Sequence, residues 1–284
     1  MKNDPERKLH FISFCTYEYI KNIFDKSGID FLILKGPHLA YTIYGDPYQR
    51  TWSDLDILVH PNLFDTACKL LVENKFEEVK FPPRRRYTFK SYYQHSLRSP
   101  YGIVCEIHRD FSNLSKYPVD IDNIFKTREE FDFGSVKAYG LSKEYLLFNL
   151  CIHLLKSYFD IDEKHLLDIK YLLEKRKIDW DIFCEIVEKG KAKGGIFFIL
   201  LILENNYMVN IPNYVLKFLK PKGLRYNYLK KILNLNGFPL NKLENKESLF
   251  NKIMLNYSLL DKTTDFFRLL FKYSYIRFLD FLLG

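Results

Sequence analysis

The stretch from Phe31 to His60, FLILKGPHLAYTIYGDPYQRTWSDLDILVH, decides how the chain is read. An apolar run, Phe31-Leu32-Ile33-Leu34, stops at Lys35-Gly36-Pro37. A helix-like piece then reaches Tyr44, and a second apolar run carries Asp54 and Asp56. As a strand, that run has a period of two, so Asp54 and Asp56 share one face and Leu55, Ile57 and Val59 the other. Two carboxylates projecting side by side oppose each other's ionisation. A divalent cation removes the conflict, and hard oxygen donors suit Mg2+ (or Mn2+), held by one or two carboxylates together with substrate phosphates. Gly36 lets backbone approach a ligand closely, and Pro37 suits the first position of a helix whose N-terminus favours an anion. The stretch predicts a metal-assisted nucleotide or phosphate site.

Upstream, Leu9, Ile12, Tyr19, Ile20 and Ile23 recur at three and four, which predicts an amphipathic helix from Pro5 to Lys26 that ends near Gly28. Ile29 to Leu34 reads as a buried strand, Pro37 to Tyr44 as a short helix and Asp54 to Val59 as the next strand. Asn62 to Asn74 reads as a further helix. Phe76 to Phe81, Arg86 to Arg98 and Gly102 to His108 are rich in aromatic and β-branched residues and broken by turn residues, so they extend the sheet as antiparallel strands. In the last of them Val104, Glu106 and His108 share a face. Glu106 is thereby a third carboxylate on a strand beside the aspartate pair.

The texture changes near Leu141. From Ser142, an N-cap residue type, the periods are helical: Tyr145 to Tyr158, Glu163 to Lys175, Trp180 to Glu188 and Gly195 to Tyr207, with Pro212 to Gly284 also helical. This gives an α+β chain, with a sheet domain over 1–140 and a helical domain over 141–284.

Composition narrows the function classes. With 284 residues, 47% hydrophobic and 27% charged, the chain reads as a globular protein with a sizeable core. Its net charge of +8, spread along the chain rather than gathered in a tail, favours polyanions such as nucleotides, nucleic acid or an anionic membrane. Cys15, Cys68, Cys105, Cys151 and Cys184 are odd in number and lie far apart, which argues against a disulfide framework or a zinc site and for buried thiols in a reducing compartment. No apolar run reaches the length of a transmembrane segment and the N-terminus lacks a signal-peptide core, so the expected location is cytoplasmic.

The run L-K-G-x-x-L-A followed by R-x-x-S-D-L-D-I-L-V resembles the nucleotidyltransferase fold of DNA polymerase β type, and most closely the bacterial group of uncharacterised nucleotidyltransferases. The resemblance continues through C-E-I-H at Cys105 to His108, N-L-C-I-H-L-L-K at Asn149 to Lys156, L-L-D-I-K-Y-L-L at Leu166 to Leu173, and Asp179-Trp180. It implies a mixed sheet flanked by helices, with the helical domain closing the cleft. Asp54, Asp56 and Glu106 would be the catalytic carboxylates and the metal ligands. Lys35, Gly36 and Arg50 would contact the phosphates of a nucleoside triphosphate, and His108, His153 and Asp168 would line the nucleotide or acceptor cleft. The implied reaction moves an NMP group to a hydroxyl acceptor on a small molecule, peptide, protein or RNA. Lys35 stands where the superfamily's motif has a small residue. That departure keeps open a non-catalytic nucleotide- or partner-binding module of the same fold, and the positive charge keeps open a toxin-like member acting on tRNA.

Arg84-Arg85-Arg86 reads as a solvated turn. Thr263 to Gly284 has apolar residues nearly all round, which favours packing against the other helices over a membrane-surface helix. Lys35, His108-Arg109-Asp110 and Asp132-Phe133-Gly134 stand in the order of a protein kinase's motifs, but only Gly28 precedes the lysine and Ser115 stands at the asparagine position. A kinase would also leave the aspartate pair without a role.

Overall fold

The computed structural model describes residues 5–79, 93–156, 163–236 and 249–283. Helix α1 (Pro5–Lys26) spans the residues its periodicity predicts, and Gly28 follows it at φ 65°. Strand β1 (Phe31–Ile33) leads through the Lys35-Gly36 turn into α2 (Pro37–Thr42), then β2 (Asp54–Val59) and α3 (Phe64–Glu73). Strands β3 (Glu77–Glu78), β4 (Gln94–Arg98) and β5 (Val104–His108) come next. The remainder of the strands expected over Phe76–Phe81 and Arg86–Arg98, like Arg84-Arg85-Arg86, falls outside the described residues.

After α4 (Ile121–Lys126) comes a hairpin that the sequence patterning did not signal, β6 (Glu129–Phe133) and β7 (Val136–Gly140). Its outward positions are charged, and Phe131, Phe133 and Ala138 face inward. The kinase-like Asp132-Phe133-Gly134 is the end of β6 and the turn of this hairpin, with Gly134 at φ 62°.

The seven strands form one sheet in the order β3-β4-β5-β2-β1-β7-β6. The β3–β4, β4–β5, β1–β2 and β6–β7 pairs are antiparallel, as the extension of the sheet was expected to be, whereas β2–β5 and β1–β7 are parallel. Leu55, Ile57 and Val59 of β2 and Cys105 and Ile107 of β5 are fully buried in a core shared with Tyr17, Ile20 and Phe24 of α1 and Ala67 and Leu71 of α3. Each such aliphatic side chain contributes about 1.5–3 kcal/mol on leaving water. That burial fixes which face of β2 is apolar, so the alternate residues must point the other way. The core therefore aims Asp54 and Asp56.

The chain divides into two compact units, one comprising Met1–Asn113, Asp120–Ser142 and Leu282–Gly284 and the other Leu114–Val119 and Lys143–Phe281. The second is helical: α5 (Lys143–Lys156), α6 (Glu163–Lys175), α7 (Trp180–Lys189), α8 (Lys193–Tyr207), α9 (Asn213–Leu219), α10 (Leu224–Asn236), α11 (Leu249–Leu259) and α12 (Thr263–Leu283). Asp179 caps α7, accepting from the amides of Asp181 and Ile182 at 3.1 Å, and the carboxylate of buried Glu144 accepts from the Asp179 amide at 2.9 Å.

The packing expected for the tail is only half present. Phe266 is buried, but Phe267, Phe271, Phe278 and Phe281 of α12 are exposed. The helix is apolar all round because it carries two apolar stripes, one turned inward and one outward. No helix among the described residues is long and apolar enough to cross a membrane. The five cysteines are free thiols; Cys105, Cys151 and Cys184 are buried as expected, while Cys15 and Cys68 are half-buried.

Candidate active site

Strands β2 and β5 run parallel with Asp56 opposite Glu106 and Leu58 opposite His108. Because side chains alternate along both strands, Asp56, Glu106 and His108 emerge together on the face away from the core. His108 Nε2 donates to Asp56 Oδ1 at 3.0 Å and lies 3.6 Å from Glu106 Oε2. Lys35 Nζ, from the turn after β1, lies 3.2 Å from Asp56 Oδ2. Both oxygens of Asp56 are thus engaged by cationic or hydrogen-bonding partners, and its side chain is only 2% exposed.

The three residues Asp56, Glu106 and His108 each offer a ligand atom, and these atoms lie within 4.8 Å of one another. Two carboxylates and an imidazole at that spacing can hold a divalent cation. The oxygens suit magnesium, and the imidazole adds affinity for manganese. Asp54 shares their face one pleat earlier, opposite Val104, and stands outside this cluster. The structure therefore brings His108, expected as a cleft residue, into closer company with Asp56 and Glu106 than Asp54.

The electrostatics follow from crowding charge at a buried point. Burial alone would raise the Asp56 pKa, but the Lys35 ammonium and the His108 hydrogen bond outweigh it and hold the carboxyl well below its ordinary range. Asp54 is shifted up, first by burial and then by the Asp56 charge, with Lys35 and Arg50 offsetting part of this. Burial opposes the charge on Lys35, yet Asp56, Asp54 and Glu106 together raise its pKa. The two aspartates are pushed in opposite directions although they are two residues apart: the Asp56 carboxyl is held down and the Asp54 carboxyl is shifted up.

Gly36 has φ 53° and ψ −106°, a backbone that side chains rarely adopt, and a Cβ there would meet the Trp52 ring at 3.4 Å. It is the positive φ, rather than the ordinary contact with Trp52, that calls for glycine in this turn, and α2 starts at Pro37 as the sequence predicts. Lys35, expected at the phosphates, is turned onto Asp56. Arg50 is buried, and its guanidinium donates to the Thr51 carbonyl at 2.6 Å.

His153 and Asp168 belong to the helical unit. There the His153 ring packs on that of His165 at 4.8 Å between centroids, and Asp168 is fully buried. Two neighbours of the site were not legible beforehand. Ser96 of β4, opposite Glu106, donates to Glu106 Oε1 at 3.5 Å, and the Tyr93 ring lies 5.6 Å from that of His108. Only the β4–β5 register reveals either of them, since a serine and a tyrosine near a strand start carry no signal of their own.

Solved structures with a related course of chain include the antibiotic-resistance factor ANT(2'')-Ia. It shares 11% identity at a TM-score of 0.43, over 68% of this chain and 97% of that one. The lincosamide antibiotic adenylyltransferase LnuA, solved with lincomycin bound, shares 20% identity at a TM-score of 0.37, over 55% of this chain and 94% of that one. No curated protein matches the chain. The family model described as uncharacterised nucleotidyltransferase matches residues 14–207, which include the second half of α1, the whole seven-stranded sheet and the helices through α8. The chain with this carboxylate-bearing sheet belongs to the uncharacterised nucleotidyltransferase family.

Proposed function

We propose that the protein transfers an NMP group from a nucleoside triphosphate to a hydroxyl acceptor, with release of pyrophosphate. The observation that carries this reading is the convergence of Asp56, Glu106 and His108 within 4.8 Å on one sheet face, with Asp54 beside them. Asp54, Asp56 and Glu106 would hold magnesium or manganese, and His108 would steady the Asp56 carboxylate it already contacts. When bound, the ion supplies positive charge that neutralises the phosphate oxygens as they react.

The chain's own groups have distinct tasks. Gly36 leaves the turn open for phosphate oxygens to approach backbone. Lys35, which can swing from Asp56 to a phosphate without losing its charge, and Arg50 would orient the triphosphate. Glu106, half-buried and braced by Ser96, would take the proton of the acceptor hydroxyl. The acceptor oxygen then forms a bond to the α-phosphorus, the α–β bridging bond breaks, and the electron pair leaves on pyrophosphate.

A second reading, a nucleotide-binding module without turnover, draws on one specific observation: Lys35 already neutralises Asp56. Metal-dependent pyrophosphate release from each NTP, measured with cell extract as the source of acceptor, separates the two. The transferase reading expects release that disappears in Asp54→Ala/Asp56→Ala. Activity surviving that double substitution overturns it, and nucleotide binding without metal dependence or adduct formation favours the module. Identifying the species labelled by radioactive NTP in the same extract names the acceptor, and steep loss of its binding with salt would point to tRNA.

A further inference from the structure

Nucleotidyl transfer makes no use of the outward face of α12. At 100° per residue, Phe267, Leu270, Phe271, Phe278 and Phe281 fall within one arc of about 100°. Their exposures are 62%, 41%, 75%, 56% and 84%. Together they present about 600 Å² of apolar surface, at the top of the range for the largest patch on a monomeric protein. Tyr273 and Tyr275, also exposed, stand on the two shoulders of the arc. The helix is anchored beside the arc, where Phe266 is buried with its ring 5.6 Å from that of Tyr257 in α11.

We propose that this face docks the protein on an anionic lipid bilayer. Charge selects that occupant. Arg268 and Arg277, both exposed, flank the aromatic arc on its two sides, and the nearest described carboxylate of the helix, Asp265, is committed to Lys191 at 2.7 Å. A second copy on the same face would bring two such sets of cations together on bodies that each carry +8. Anionic headgroups accept the same cations without that repulsion. The layout matches an interfacial helix lying flat: phenylalanine and leucine at the acyl boundary, tyrosines at headgroup level and the two arginines at the phosphates. The helix lies on the bilayer rather than spanning it, in keeping with the absence of a membrane-crossing helix among the described residues.

Flotation of the full chain with vesicles tests this. Wild type binds vesicles of phosphatidylcholine mixed with phosphatidylglycerol and binds phosphatidylcholine alone far more weakly. Phe271→Ser/Phe278→Ser lowers the affinity for mixed vesicles by about a hundredfold or more, and Arg268→Gln/Arg277→Gln lowers it by about tenfold or more. Circular dichroism shows unchanged folding in both, because the replaced side chains point to solvent. Equal binding to the two vesicle types, or none to either, overturns the proposal without recourse to any variant. So does a dimer in light scattering that the phenylalanine substitutions dissociate. Pyrophosphate release in the absence of lipid is read separately, so failure here leaves the transferase reading untouched.

Discussion

The Lys35–Asp56 pair gives the sharpest test of how the site is held together. Its atoms are 3.2 Å apart, with the side chains 18% and 2% exposed. At an effective dielectric constant of about 20, two unit charges at that separation attract by about 5 kcal/mol. Desolvation of both ions takes back a large part of this, leaving a net coupling of about 2 kcal/mol. Asp56→Asn keeps an oxygen and nearly the same shape, and Lys35→Met keeps the alkyl stem, so the double-mutant cycle isolates charge pairing. Asp54 and Glu106 also face Lys35, so the ammonium in Asp56→Asn retains some counter-charge. The expected cost of Asp56→Asn is therefore about 2–3 kcal/mol, below the upper end for breaking a buried pair. Urea unfolding at pH 7 with chelator, which keeps metal off Asp56, measures the four corners. The double variant should be less destabilised than the sum of the singles by about 2 kcal/mol. The coupling should also persist in high salt, since the pair is shielded from solvent ions. A coupling below about 0.5 kcal/mol refutes the reasoning, because that is the additivity error of unrelated sites.

Three further outcomes follow from the same geometry. If Asp56 is a metal ligand as proposed, Lys35 competes with the cation, so Lys35→Met should raise Mn2+ affinity in the absence of nucleotide by about tenfold, about 1.4 kcal/mol in calorimetry; unchanged affinity contradicts the competition. Gly36→Ala places a Cβ at φ 53° and against Trp52, and should cost about 1–2 kcal/mol in urea unfolding, with a higher KM for the NTP. Lys116 in the helical unit donates to Asn256 Oδ1 at 3.0 Å, and burial pushes its amine from 10.5 down to about 8. Below pH 8 the folded protein carries a penalised charge; between about 8 and 10.5 the folded state has lost the proton and the unfolded state still holds it. Stability should therefore rise with pH there, by up to about 1.4 kcal/mol per unit, and Lys116→Met should remove the rise when urea midpoints are compared from pH 7 to 10.

What the sequence made legible was local. The helices at Pro5–Lys26 and Glu163–Lys175 and the strand Asp54–Val59 have the bounds their periodicity predicts, because each carries its apolar stripe within itself. The facing of Asp54 and Asp56 followed from the same alternation. Pairings between distant segments were less accessible. Glu106 could be named as a third carboxylate, but its position opposite Asp56 rests on a parallel register between strands 50 residues apart. The β6–β7 hairpin escaped because charged residues alternate with its few inward side chains, and only two phenylalanines and an alanine mark its buried face. The tail was legible only in half for a related reason: periodicity counts apolar residues and cannot tell a stripe that meets a neighbour from one left to solvent.

Lys35 also resists the simple view that a departure from a motif is a defect. A buried Asp56 flanked by Asp54 and Glu106 is an unfavourable concentration of negative charge whenever no cation is near. With a small residue after β1, that charge would have to be relieved by proton uptake or by a permanently held ion. An ammonium on a flexible stem relieves it at 3.2 Å and keeps Asp56 ionised, which is the protonation state a metal ligand needs. In the proposed reaction, a turn of that stem would make the same charge available to a triphosphate once the carboxylates held a metal. The residue that departs from the superfamily's pattern is thus compatible with turnover, provided that metal and nucleotide arrive together rather than metal alone. Nucleotide should then strengthen metal binding in the wild type, and Lys35→Met should weaken that linkage, since the side chain that answers to both ligands would be gone.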